Sequence, residues 1–269
     1  MKPAFEKAHP EVKDIERRDI KHEAIAELRE PIQKILEQLR ERSDQEGYSL
    51  IIGDDASGRI PTRMFEYVLG ALYEKRGFPH PEVRFFAGSH GLRGLEEPQG
   101  GLTRKALTFL VPGLKSDAEI KTDNVEQYLK KIRARHKRVS TGVLVVTDTI
   151  ETGRALKPLS NALKKQHINF DIATMGMVGD REESVAKYLG SEIFYGMRGT
   201  PAIYTERSLG GVRKDRRDLF AEVLRGEGVS EIVREAREDA KTLAQELVAW
   251  YGKEAARGVS ENNDKGQVR

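Results

Sequence analysis

The stretch VLVVTDTIETGRAL, residues 143–156, decides the fold. Four apolar residues, Val143 to Val146, run without alternation, which is the pattern of a strand buried on both faces. A polar turn follows at once, with carboxylates at Asp148 and Glu151, a hydroxyl at Thr152 and a glycine at Gly153. The apolar pattern then resumes at helical spacing from about residue 153 to 166. A buried strand that feeds a helix through a short turn is one βα step of a parallel sheet.

The same step recurs along the chain. SLIIG (49–53) reads as a strand, and PTRMFEYVLGALYEKRG (61–77) as a helix with a proline in its first turn and a glycine past its end. VRFFAG (83–88) and KALTFLVP (105–112) are strand candidates, separated by a loop with glycines at 91, 94, 100 and 101. A polar helix over 123–135 leads into Val143, and strand 170–178, helix 182–190 and strand 192–197 follow. Ahead of these, apolar residues at 25, 28, 32, 35, 36 and 39 make one helical face, with Pro31 implying a kink or two abutting helices. Behind them, 215–251 reads as helix broken near Gly226 and Gly228, and the polar 257–269 as a disordered tail. The expected organisation is an N-terminal helical extension over 1–46, an α/β domain over 47–214 and C-terminal helices over 215–256.

Composition narrows the class. A chain of 269 residues, 38% of them apolar, can bury a core without staples. With no cysteine, disulfides, thiolate nucleophiles and Cys-based metal sites are excluded. Residues 1–19 contain no apolar core of a secretory signal, and nowhere do about 18 apolar residues run together, so a soluble, cytoplasmic protein is expected. The 46 basic residues nearly balance the 43 acidic ones, so net charge does not announce a nucleic-acid partner. KKIRARHKR (130–138) is basic, but such a run at a helix end is ordinarily a solvated face. Six histidines show no metal-ligand spacing.

In parallel sheets ligands sit beyond the carboxyl ends of the strands, and a helix start offers free N–H groups to an anion. Thr152 and Gly153 suit a phosphate there; Asp148 and Glu151 suit a ligand that also carries a diol, a cation or a transferable proton. VLVVTDTIETGRAL resembles the 5-phosphoribosyl-1-pyrophosphate (PRPP) motif of the type I phosphoribosyltransferases. IIGDDASGRIPTRM (51–64) resembles that family's pyrophosphate loop, RGTPAIYTERSLGGVRKD its closing segment, and the glycine-rich loop its flexible catalytic loop. The resemblance spans roughly residues 48–214.

It implies a doubly wound, parallel-sheet α/β fold of phosphoribosyltransferase type, with flanking N- and C-terminal helices. Thr147 and Asp148 would hold the ribose, and Thr152, Gly153, Arg154 and Ala155 the 5′-phosphate. Asp55, Ala56, Ser57, Gly58 and Arg59 would hold the pyrophosphate, with His90 and Arg93 closing over it. Glu151, with Asp148, takes the catalytic role, and Mg²⁺ is expected with PRPP. The activity implied is glycosyl transfer to a nitrogenous base or nucleotide with release of pyrophosphate. The chain departs from the family where Thr147 replaces the first acid and Arg154 and Ala155 replace a small residue and a hydroxyl. Thr147 and Ala155 suit the alternative, a non-catalytic PRPP- or nucleotide-binding regulator or sensor, which a basic face built from 130–138 would link to nucleic acid. The long flanking helices suit a homodimer.

Overall fold

The computed structural model describes residues 19–45, 47–54, 58–86, 117–135, 142–213, 222–226 and 228–266. Five strands form one parallel sheet: β1 (Leu50–Asp54), β2 (Glu82–Phe86), β3 (Val143–Ile150), β4 (Phe170–Met177) and β5 (Ile193–Arg198). Their order across the sheet is β2-β1-β3-β4-β5. The helices are α1 (Glu23–Ala26), α2 (Arg29–Gln38), α3 (Arg40–Ser43), α4 (Arg59–Lys75), α5 (Asp117–Arg135), α6 (Lys157–Lys165), α7 (Glu182–Leu189) and α8 (Val229–Gly266).

Strand alternation divides the apolar residues between two faces. Ile51, Leu144, Val146, Ala173 and Phe194 join one cluster with α1, α2, α4 and α8. Leu50, Ile52, Val143, Val145 and Ile172 join the other with α5, α6 and α7. Both faces are therefore covered, which is why β1 and β3 are apolar without alternation. The expected α/β class with a parallel sheet and flanking helices is what the chain forms.

The N-terminal stripe behaves as its spacing requires: Ile25, Leu28, Ile32, Ile35, Leu36 and Leu39 are all fully buried. Residues 27–28 interrupt the helix, so α1 and α2 abut, and Pro31 falls in the first turn of α2, where its missing N–H costs nothing. The buried Asp239 of α8 accepts from the backbone N–H groups of Lys21 (2.9 Å) and His22 (3.0 Å) and lies 2.8 Å from His22 Nδ1. It thereby joins the start of α1 to the far end of the chain.

At the amino edge of the sheet, Tyr48 donates to Asp171 Oδ2 at 2.7 Å, and Arg42 bonds Asp171 Oδ1 and Glu192 Oε2. Burial first, and then the Asp171 charge, pushes the Tyr48 phenol above its ordinary range. The hydrogen bond to Asp171 holds Arg42 firmly in its charged form.

Three sequence expectations are corrected. The helix after β3 begins at Lys157 rather than near 153, because Pro158 is suited to a helix start and residues 154–156 form a turn. Within the helix expected from 215, residues 222–223 form a short strand paired antiparallel with Val212–Arg213. Helix α8 continues to Gly266, through most of the stretch read as a tail, since extending an established helix is far easier than starting one. The strand expected at 105–112 lies outside the described residues. Among the described residues no helix is long and apolar enough to cross a membrane.

Candidate functional site

The strand order places β1 and β3 side by side, yet the helices that follow them lie on opposite faces. Helix α4 contributes Met64, Phe65 and Val68 to one core cluster, and α6 contributes Leu159 and Leu163 to the other. The two chain paths part above the carboxyl ends of β1 and β3, and such a switch point leaves a crevice between them. Gly53 pairs with Val146, so Asp54 and Thr147 begin the lip of that crevice, on strands about 4.8 Å apart.

Close approach explains both glycines. Gly58, just before α4, has no room for a side chain, since a Cβ would lie 2.2 Å from the carbonyl oxygen of Asp54. Its own carbonyl accepts from the Thr62 hydroxyl at 2.6 Å, which closes the first turn of α4. Gly153 adopts φ +69°, and a Cβ there would meet Val185 Cγ1 at 2.9 Å and Leu189 Cδ1 at 3.1 Å. The 151–156 turn is thus seated against α7.

The crevice has a buried floor and an exposed rim. Thr147 and Asp148 are 2% and 4% exposed, and the Thr147 hydroxyl donates to Asp148 Oδ1 at 3.2 Å. Glu151, Thr152 and Arg154 are exposed, and Ala155 is half-buried. The Thr152 hydroxyl lies 3.5 Å from the backbone N–H of Arg154, within the same turn. The Arg154 guanidinium has no partner among the described residues. Lys157, by contrast, is committed elsewhere: its ammonium donates to the Tyr188 carbonyl and sits 4.3 Å from the Tyr188 ring centre. Burial, and then Lys164, holds its pKa below the ordinary lysine range.

Across the crevice, Arg59 opens α4 with its guanidinium 4.9 Å from the Phe85 ring centre; Arg63, one turn on, lies 5.2 Å from the same ring. Arg63 also pairs with Glu66 at 2.6 Å. Asp55, Ala56, Ser57, His90 and Arg93 lie outside the described residues. Of the residues singled out from sequence, Thr147, Asp148, Glu151, Thr152, Gly153, Arg154, Ala155, Gly58 and Arg59 therefore lie at or just beyond the carboxyl ends of the adjacent central strands β1 and β3.

The chain matches no family model and no curated protein sequence.

Sequence reasoning missed two features. The Thr149 hydroxyl is buried without a hydrogen-bond partner among the described residues, a polar group that a bound ligand can satisfy. Phe85, the platform for Arg59 and Arg63, carried no signal beyond strand propensity. The Tyr195 ring packs against the second core cluster, with Arg198 stacked on it at 4.7 Å. Among the described residues no group of three His, Asp or Glu side chains forms a metal site. Mg²⁺ is commonly held by one or two carboxylates plus the oxygens of a bound phosphate. The hard-oxygen donors Asp148 and Glu151 fit that mode, not a dedicated cage.

Proposed function

We propose that the switch-point crevice binds PRPP or a related ribose-5-phosphate compound, and that the chain is a type I phosphoribosyltransferase-like protein. One observation carries the reading: β1 and β3, the strands that lead into the two segments resembling the family's phosphate-handling motifs, are neighbours in the sheet. In this reading the 151–155 turn takes the 5′-phosphate through its backbone, Thr152 and Arg154. Arg154 stands in for the hydroxyl lost at Ala155. Asp148 accepts from the ribose hydroxyls. Thr147 acts by holding Asp148, to which its hydroxyl already donates.

Transfer would break the bond from ribose C1′ to the pyrophosphate oxygen and form one from C1′ to a nitrogen of a base or nucleotide. Glu151, exposed on the rim, is placed to take the proton that the acceptor nitrogen loses. Arg59 and the junction before α4 would stabilise the departing pyrophosphate electrostatically. Mg²⁺, carried by Asp148 or Glu151 together with the ligand, supplies further neutralisation of that charge when bound.

A second reading is favoured by one observation. With a threonine in place of the first acid and its hydroxyl turned to Asp148, the floor of the crevice holds one ribose-facing carboxylate where a pair is expected. That suits a sensor that binds without turnover. Calorimetric titration with PRPP, with and without Mg²⁺, and with ribose-5-phosphate and AMP, tests both. Asp148→Asn and Thr152→Ala should each weaken PRPP binding, by roughly 5- to 20-fold. Unchanged affinity in both variants refutes the assignment. Pyrophosphate release with any acceptor, abolished by Glu151→Gln with binding retained, selects the transferase; binding without release selects the sensor.

A further inference from the structure

A second cleft, of about 410 Å³, opens between α4 and the first turns of α8, away from the crevice. Its volume falls in the range of small-ligand sites. Tyr67 of α4 forms one wall, eight residues and so about 12 Å along the helix from Arg59. Ser230, Val233, Arg234, Arg237, Lys241 and one carboxylate, Glu238, line it from α8.

The charges there are unbalanced. Arg234 is already shared between Glu238 (3.0 Å) and Glu231 (3.8 Å). Arg237 and Lys241 lie one turn apart on one helix face, and neither has an acidic partner among the described residues. Like charges at this spacing repel, and an anion bridging them removes the repulsion. Two unpaired cations match a dianion better than a single carboxylate. A guanidinium beside an ammonium also suits the several oxygens of a phosphate. The Tyr67 ring and Val233 suit a flat apolar group attached to it.

We propose that this cleft binds an organic phosphate with a flat apolar part, of the nucleoside monophosphate kind, independently of what the crevice binds. The test is calorimetric titration of the full chain with AMP, inorganic phosphate and adenosine. AMP should bind more tightly than either part alone. The double variant Arg237→Gln/Lys241→Gln should weaken AMP roughly 10- to 100-fold, whereas the charge-retaining Arg237→Lys/Lys241→Arg should keep most of the affinity. Both side chains are exposed, so an unchanged unfolding midpoint will show that the fold is intact. Because the crevice can also take AMP, the double variant is compared in the Thr152→Ala background, where AMP binding that remains is the cleft's own. AMP affinity that survives the double variant in that background, or that Thr152→Ala alone abolishes, overturns the proposal. So do phosphate binding as tightly as AMP and the absence of AMP binding at millimolar concentration.

Discussion

Substitution of Gly153 by alanine tests the seating of the 151–156 turn. Two costs combine. Gly153 sits at φ +69°, in the left-handed region, where a Cβ costs about 1 kcal/mol. That Cβ would also meet Val185 Cγ1 at 2.9 Å and Leu189 Cδ1 at 3.1 Å. Val185 is a short branched side chain, 4% exposed, and Leu189 is fully buried, so neither can swing clear. Overpacking of this kind costs about 1–3 kcal/mol. The sum, about 2–4 kcal/mol, corresponds to a drop in Tm of roughly 4–16 °C for a chain of this size. Gly77 supplies the control, because it has φ +74° but nothing within 4 Å of a Cβ, so Gly77→Ala carries only the backbone cost. Urea denaturation of both variants isolates the packing share as their difference. Equal losses in the two would refute the argument that α7 forms a rigid seat for the turn. If the turn holds phosphate, Gly153→Ala should also weaken ribose-5-phosphate binding more than Gly77→Ala does.

Two other predictions concern stability. Asp239→Ala should cost about 2–4 kcal/mol by urea denaturation, since it strips the buried acceptor from the N–H groups of Lys21 and His22; Asp239→Asn, which can still accept, should cost less. A loss under about 0.5 kcal/mol would mean that α1 is not held there. Alkaline pH should also destabilise the fold. Tyr48 and Tyr251 are both held above the ordinary tyrosine value of 10.0, by burial first, then by Asp171 and Asp44 respectively. Their contribution is complete below pH 10 and declines above it, where the unfolded chain releases protons that the folded chain keeps. Each tyrosine adds a slope of up to about 1.4 kcal/mol per pH unit. Tyr48→Phe should remove one share, and an identical slope in wild type and variant between pH 10 and 11.5 would contradict the assignment.

Much of this was legible in the chain. The continuous apolar runs Leu50–Ile52 and Val143–Val146 specify strands buried on both faces, and alternation with helices specifies a parallel sheet, because side-chain periodicity is a local property. The glycines at 58 and 153 could be read as turn positions for the same reason. Other features have no local signature. That α4 and α6 leave by opposite faces, and so open a crevice between β1 and β3, follows from which face each helix covers, which depends on the whole core. The start of α6 at Lys157 was set by the turn at 154–156, where the apolar spacing alone suggested an earlier start. Asp239 reads in sequence as one acid in a charged helix; only the packing of α8 brings it to the N–H groups of residues 21 and 22. Thr147 reads as a substitute ribose contact, whereas folding turns its hydroxyl onto Asp148. The cleft beside Tyr67 joins residues more than 160 positions apart, a proximity that only the tertiary structure creates. Local pattern therefore set the kind of elements and the chemistry of the turns. Long-range packing decided which side chains meet, because burial of one face against another is a property of the whole chain.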